Sequence, residues 1–176
     1  MNSKTRYLTT GDDLKKILLS CKKCTLATGN GENIISHREL IHLKIAKIKK
    51  HKNIFICNTA DDTVTIGHWF TIIVNVNNKT MYICDGLDYA ITQKHVLKNI
   101  RQFCRINKLN LVNLQSKCQQ KKSNVCGYIS IFWVAKYTHL TKRNFMQLSS
   151  ILKRQSIKSN ESFILKFVQI HFKFTL

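Results

Sequence analysis

Apolar residues recur along this chain in two rhythms, and each rhythm dictates a different element. Over residues 11–20, Leu14, Ile17 and Leu18 fall at helical spacing behind Asp12 and Asp13, either of which suits an N-terminal cap. The segments 54–58 (IFICN), 69–76 (WFTIIVNV) and 80–85 (TMYICD) are short β-branched and aromatic runs, and they read as strands. Asn77-Asn78-Lys79 between the last two is a hairpin signal. Helical period returns over 90–105, where Val96, Leu97, Ile100, Phe103 and Cys104 share one face. On the other face Lys94, Lys98, Arg101 and Arg105, spaced 4, 3 and 4 apart, line up in a row. Residues 109–114 (LNLVNL) read as a fourth strand. A polar loop, 115–124, then leads to a hydrophobic helix that opens near Val125-Cys126-Gly127 and runs to about Leu140. One or two further helices after Arg143 are expected to cover the sheet. Residues 25–38 read as loop around Gly29-Asn30-Gly31. Residues 40–50 mix Leu40, Ile41, Ile45 and Ile48 with lysines, and periodicity does not decide between helix and strand. The expectation is an α+β fold, a small central mixed sheet flanked by helices.

Composition narrows this picture. The 176 residues contain no proline, no internal repeat and no Gly/Ser-rich linker, so a single domain over 1–176 is expected. The longest apolar run begins at Cys126 and stops at Lys136, too short to cross a bilayer. Met1 to Arg6 is followed by no apolar segment of the signal-peptide kind, so a secreted protein is not expected and a reducing compartment is. Seven cysteines, odd in number and irregular in spacing, suit buried thiols better than a disulfide framework. Lys+Arg of 29 against Asp+Glu of 9 gives a formal charge of +20, which implies a polyanionic partner, nucleic acid foremost. Because lysine dominates the excess, phosphate attraction is favoured over base reading. The plainer alternative is a solvated basic surface, and that reading applies first to the lysine-rich stretch from Lys44 to Lys52.

Thiol-dependent peptide cleavage requires a thiolate, a neighbouring imidazole, a group that orients the imidazole, and donors for the oxyanion. Cys126 stands at a predicted helix N-terminus, where the helix dipole lowers a thiol pKa. Gly127 beside it leaves room for a substrate backbone. His68 precedes one strand and Asp85 ends the next across the hairpin, so antiparallel pairing brings both to one edge. A glutamine shortly before Cys126, together with the Cys126 backbone N–H, completes an oxyanion hole. Cys57, Cys84, Cys104 and Cys118 read as packing residues.

In this order Gly67-His68-Trp69, an apolar strand, Tyr82-Ile83-Cys84-Asp85-Gly86-Leu87, a glutamine, and Ser123-Asn124-Val125-Cys126-Gly127 resemble the adenovirus-type endopeptidase (adenain) clan. Proteases of adenovirus-like insect viruses and of Maverick/Polinton virus-like elements look most similar, and SUMO-specific proteases share the order more distantly. Leu14-Lys15-Lys16-Ile17-Leu18 and Phe55-Ile56-Cys57-Asn58-Thr59 extend the likeness over most of 8–140. The resemblance implies a papain-like site in permuted order, with His68 the base, Asp85 the orienting acid, Cys126 the nucleophile and Trp69 a wall of the substrate channel. It implies cleavage of viral structural precursors after small residues, often glycine, during virion maturation. The location it implies is the virion and the host nucleus or cytoplasm. Adenain uses DNA and a short viral peptide as cofactors; no cofactor is expected to be required by this chain, its high basicity suits stimulation by DNA, and no cysteine stands out to bind an activating peptide. Three glutamines compete for the oxyanion role. Gln119 stands seven residues before Cys126, the adenain-like spacing, Gln120 six, the SUMO-protease-like spacing, and Gln115 sits in Leu114-Gln115-Ser116. They rank in that order. Tyr128-Ile129-Ser130 and the basic loop at Lys117, Lys121 and Lys122 depart from the family pattern and bear on specificity more than on catalysis.

Two rival readings accompany this one. The same fold with a ubiquitin-like conjugate as substrate makes the chain an isopeptidase. Alternatively, Cys21-x2-Cys24-x12-His37-x4-His42 has zinc-finger spacing, and with the basic charge it describes a non-enzymatic DNA-binding protein. Thr28 stands where such a finger needs a core aromatic, and Gly29-Asn30-Gly31 weakens so small a core, so no metal is expected there. Cys21 and Cys24 are then core thiols, and His37 and His42 surface residues.

Overall fold

A computed structural model describes residues 10–44, 53–60, 67–114 and 117–173. The first helix, α1 (Gly11–Leu19), buries Leu14, Ile17 and Leu18 as its periodicity requires. Its cap is Thr10 rather than Asp12 or Asp13. The Thr10 hydroxyl accepts from the Asp13 N–H at 3.2 Å, and the Asp13 carboxylate accepts from the Thr10 N–H at 3.0 Å, a reciprocal capping box.

Residues 25–38 are more ordered than a loop. A short helix, α2 (Lys22–Ala27), is followed by a turn in which Gly29, Asn30 and Gly31 take φ of 63°, 61° and 83°. Three successive left-handed residues explain the Gly-Asn-Gly sequence, since residues with larger side chains rarely adopt that conformation. The turn delivers β1 (Ile34–Ser36), which pairs in parallel with β2 (Ile54–Asn58). Between them Glu39–His42 form a 3-10 turn, and residues 45–50 of the ambiguous lysine-rich segment lie outside the described residues.

The expected hairpin is present as β3 (Trp69–Asn75) and β4 (Thr80–Cys84). The helix expected over 90–105 is interrupted. Gln93, extended at ψ 111°, separates α3 (Tyr89–Thr92) from α4 (Lys94–Asn107), and β5 (Asn110–Asn113) follows. The described strands form one five-stranded mixed sheet in the order β1-β2-β3-β4-β5, its outer pairs parallel and its inner pairs antiparallel.

Both faces of the sheet are covered, which is why β2, β3 and β4 read as continuous apolar runs. Phe55, Cys57, Phe70, Ile72, Val74, Met81 and Ile83 face α4. On the opposite face Ile54, Ile56, Ile73, Tyr82 and Cys84 meet α1, α2 and α5 (Cys126–His139). From Gly127 to Ala135 every residue of α5 is buried, so the helix carrying Cys126 is the central column of the larger core. The tail forms α6 (Lys142–Arg154) and α7 (Ile157–Phe172), and these pack chiefly on α5 rather than on the sheet. Phe145, Leu152, Ile164, Val168 and Phe172 supply their apolar faces, leaving α5 sandwiched between sheet and tail. Among the described residues no helix is long and apolar enough to cross a membrane.

Candidate active site

His68 is fixed through its backbone before its side chain acts. Its N–H donates to Thr59 Oγ1 at 2.8 Å, and its carbonyl accepts from the Thr59 N–H at 2.9 Å. Gly67 must be glycine for space. A Cβ there would lie 1.8 Å from Asn58 Oδ1 and 2.4 Å from the Ala60 nitrogen. The imidazole projects from the start of β3 toward the end of β4, where Nε2 meets Asp85 Oδ1 at 2.6 Å. Tyr89 stands edge-on to the ring with centroids 5.2 Å apart.

Asp85 is itself held by backbone donors. Oδ1 also accepts the Leu87 N–H at 2.9 Å, and Oδ2 accepts the Ala90 N–H at 2.7 Å. With His68 8% exposed and Asp85 1%, this pair sits almost out of water, where electrostatic interactions strengthen.

Cys126 is the first residue of α5, half-buried, with its sulfur near enough to the His68 ring and to the Trp69 and Gly127 backbone for each of them to favour its thiolate. Since Nε2 is on the carboxylate, Nδ1 is the ring nitrogen left for the thiol. One turn further along α5, the Ser130 carbonyl accepts from Thr71 Oγ1 at 3.2 Å, a cross-link from β3 that fixes the helix against the strand His68 introduces.

The electrostatics follow from this geometry. Burial lowers the His68 pKa, but the hydrogen bond to Asp85, then the interaction with Cys126, outweigh it and raise the ring from 6.5 to about 9. Burial raises the Cys126 thiol, and the His68 hydrogen bond and charge overcome it, leaving the pKa below its ordinary 9.0. The two shifts describe one coupled pair, favouring a thiolate beside an imidazolium. In contrast, burial pushes Cys24 up to about 12, Cys104 to about 11, and Cys57 and Cys84 well above the usual range.

The glutamines separate clearly. Gln119 is 3% exposed, donates from Nε2 to the Ser123 carbonyl at 2.8 Å, and leaves Oε1 without a hydrogen-bond partner among the described residues. It packs against Gly86, where an added Cβ would lie 3.0 Å from Gln119 Cβ and 3.1 Å from Ile129 Cδ1. Gln119 is thus wedged between the residue after Asp85 and the first turn of α5. Gln120 points the other way: its N–H and Nε2 donate to the Glu161 carboxylate of α7 at 2.7 and 3.1 Å. Gln115 lies outside the described residues.

Trp69 is adjacent to Cys126 through its backbone, while its half-buried indole reaches toward Gly11 at the start of α1. Gly127 is buried in the first turn of α5. Lys94, Lys98, Arg101 and Arg105 are all exposed and, with Leu97 and Gln102, line a shallow depression of about 440 Å³.

The zinc-finger set is not assembled. His37 is buried rather than on the surface, its Nδ1 3.0 Å from Asn99 Nδ2 and its ring edge-on to His95, both on α4. Cys21 is the N-cap of α2 and Cys24 lies within that helix, on the face of the sheet opposite α4, and His42 is exposed in the 3-10 turn.

Sequence reasoning missed Glu161. Its carboxylate accepts from the Gln120 N–H, from Gln120 Nε2, and from the Ser123 hydroxyl at 2.7 Å, and so pins the loop that leads into Cys126. The signal was present. Glu161 is the only acidic residue after Asp88, set in a basic and apolar tail. No protein-family model matches this chain, and no curated protein matches it.

Proposed function

We propose that this chain is a cysteine endopeptidase of the adenain type, with a papain-like site. The observation that carries the reading is the buried relay from Asp85 through His68 to Cys126, with the sulfur at the head of a buried helix. The Cys126 thiolate attacks the scissile carbonyl carbon, a C–S bond forms, and the carbonyl π electrons move to oxygen. That oxyanion is received by the Cys126 N–H, which as the first of the helix has no intrahelical partner, and by the second Nε2 hydrogen of Gln119. The imidazolium gives its proton to the departing amine nitrogen as the C–N bond breaks. Water, deprotonated by the now neutral His68, then cleaves the thioester and restores the thiolate–imidazolium pair.

The family likeness directs this chemistry to viral structural precursors cut after small residues, in the virion or the infected cell's nucleus or cytoplasm. The row Lys94–Lys98–Arg101–Arg105 suits a phosphate backbone and supports stimulation by DNA. The test compares the parent chain with Cys126→Ala on glycine-containing precursor peptides. Cleavage should vanish in the variant while circular dichroism stays unchanged, and cleavage that survives the substitution would overturn the assignment. Faster turnover of a SUMO or ubiquitin conjugate than of any precursor peptide would move the substrate to the isopeptidase class.

A further inference from the structure

We infer that Cys21, Cys24 and His139 form a zinc(II) site at the opposite end of α5 from Cys126. The sequence pairs these two cysteines with His37 and His42 by spacing, but the fold brings a different histidine, 118 residues away from Cys21, to them. Cys21 Sγ lies 3.6 Å from His139 Nε2, and the ligand atoms of all three residues lie within 4.8 Å of one another. This is the sole group of three or more such side chains in position to share an ion among the described residues. Zn–S of about 2.3 Å and Zn–N of about 2.0–2.1 Å at tetrahedral angles require S···N of roughly 3.6 Å and S···S of roughly 3.8 Å. Cys21 Sγ and His139 Nε2 already stand at that separation, and the other two pairs, within 4.8 Å, would close by about 1 Å or less.

The surroundings suit the ion. Cys24 is buried, Cys21 is half-buried and His139 is exposed, which gives the site a floor and an entry path. Thr138 Oγ1 lies 3.6 Å from Cys24 Sγ and also 3.0 Å from the Val134 and Ala135 carbonyls, so its hydroxyl hydrogen would turn from the helix backbone to the sulfur once the thiol ionises. His171 of α7, exposed, lies edge-on to His139 with ring centroids 5.2 Å apart. Binding converts two thiols to thiolates, so Zn²⁺ enters as two protons leave and no redox partner is needed. The site would tie the start of α2 to the last turn of the nucleophile-bearing helix.

The test is independent of proteolysis. Metal-free, fully reduced protein is titrated with zinc(II) and, separately, cobalt(II). One equivalent should bind, with a thiolate-to-cobalt charge-transfer band and tetrahedral d–d bands. Zinc at about 100-fold above its Kd should raise the Tm by about 5–10 °C. Cys24→Ser and His139→Ala should each remove one-to-one binding, and His42→Ala should retain it. His139 is exposed, so His139→Ala keeps the test valid even where Cys24→Ser fails to fold. Substoichiometric zinc, a cobalt spectrum without a thiolate band, or stoichiometric binding that survives His139→Ala would overturn the site.

Discussion

Replacing Asp85 with Asn keeps the shape of the side chain and removes both its charge and one of its acceptors. Three donors converge on the carboxylate: His68 Nε2 and the Leu87 N–H on Oδ1, and the Ala90 N–H on Oδ2. An amide has one oxygen. Whichever way it is turned, its NH2 faces a buried N–H, and leaving such a donor unpaired costs about 1–3 kcal/mol. A second, pH-dependent loss is added to this. The rise of His68 from 6.5 to about 9 corresponds to roughly 3 kcal/mol in favour of the imidazolium. That stability is fully present below pH 6.5, where the unfolded ring is also protonated, and fades as pH rises through 9 and the folded ring loses its proton. Asp85 supplies the larger part of the upward shift, with Cys126 the remainder. Asp85→Asn should therefore destabilise by about 2–5 kcal/mol near pH 6 and by only the hydrogen-bond cost, about 1–3 kcal/mol, above pH 9. Urea unfolding of both proteins at pH 6, 7.5 and 9.5 measures the difference. Iodoacetamide labelling of Cys126, mapped by mass spectrometry, follows the same substitution from the thiol side, since a weaker imidazolium should move the onset of thiolate reactivity to higher pH. A destabilisation that is constant across the pH range, with an unshifted labelling profile, would show that Asp85 does not hold the proton on His68.

Two other outcomes test the flanks of the site. Glu161→Gln removes the charged acceptor of Gln120 and Ser123 and should cost about 1–3 kcal/mol. Peptide cleavage should fall while Cys126 alkylation stays near the parent rate, because the loop positions Gln119 rather than the thiolate; an equal fall in both would contradict that role. Changing Lys94, Lys98, Arg101 and Arg105 to Gln should weaken DNA binding and flatten its salt dependence by about 0.9 for each phosphate no longer neutralised. An unchanged slope in filter-binding assays would return the row to a solvated face.

What could be read from the sequence is what local spacing determines. Covered on both faces, β2, β3 and β4 are apolar runs too short for helices, and Asn77-Asn78-Lys79 joins the last two, so the hairpin and the approach of His68 to Asp85 were legible. The head of α5 was legible for a similar reason, since an uninterrupted apolar segment needs a defined start. Elements supported mainly by distant residues were not. The three-residue β1 is held by parallel pairing to β2 across an intervening segment, with no hydrophobic period of its own. The break at Gln93 leaves the buried face of α4 intact, so the amphipathic pattern runs through it unchanged.

The glutamine choice shows why spacing alone could not decide the site. Gln119 and Gln120 are adjacent and chemically identical, and the chain bends at Gln119, where the Cys118 and Gln119 N–H groups both donate to the Gly86 carbonyl at 3.2 Å. The two side chains part there, one toward α5 and the other toward the tail, and the tail offers the stronger partner. Glu161, 41 residues beyond Gln120, offers a buried carboxylate that accepts both its backbone and its side-chain N–H, a charge-assisted pair worth more than any neutral alternative. Gln119 is then left facing Gly86 and the first turn of α5. The lone acid of the tail selects the glutamine, so the oxyanion side of the proposed site is assembled by a helix that contributes no group to the Asp85–His68–Cys126 cluster itself.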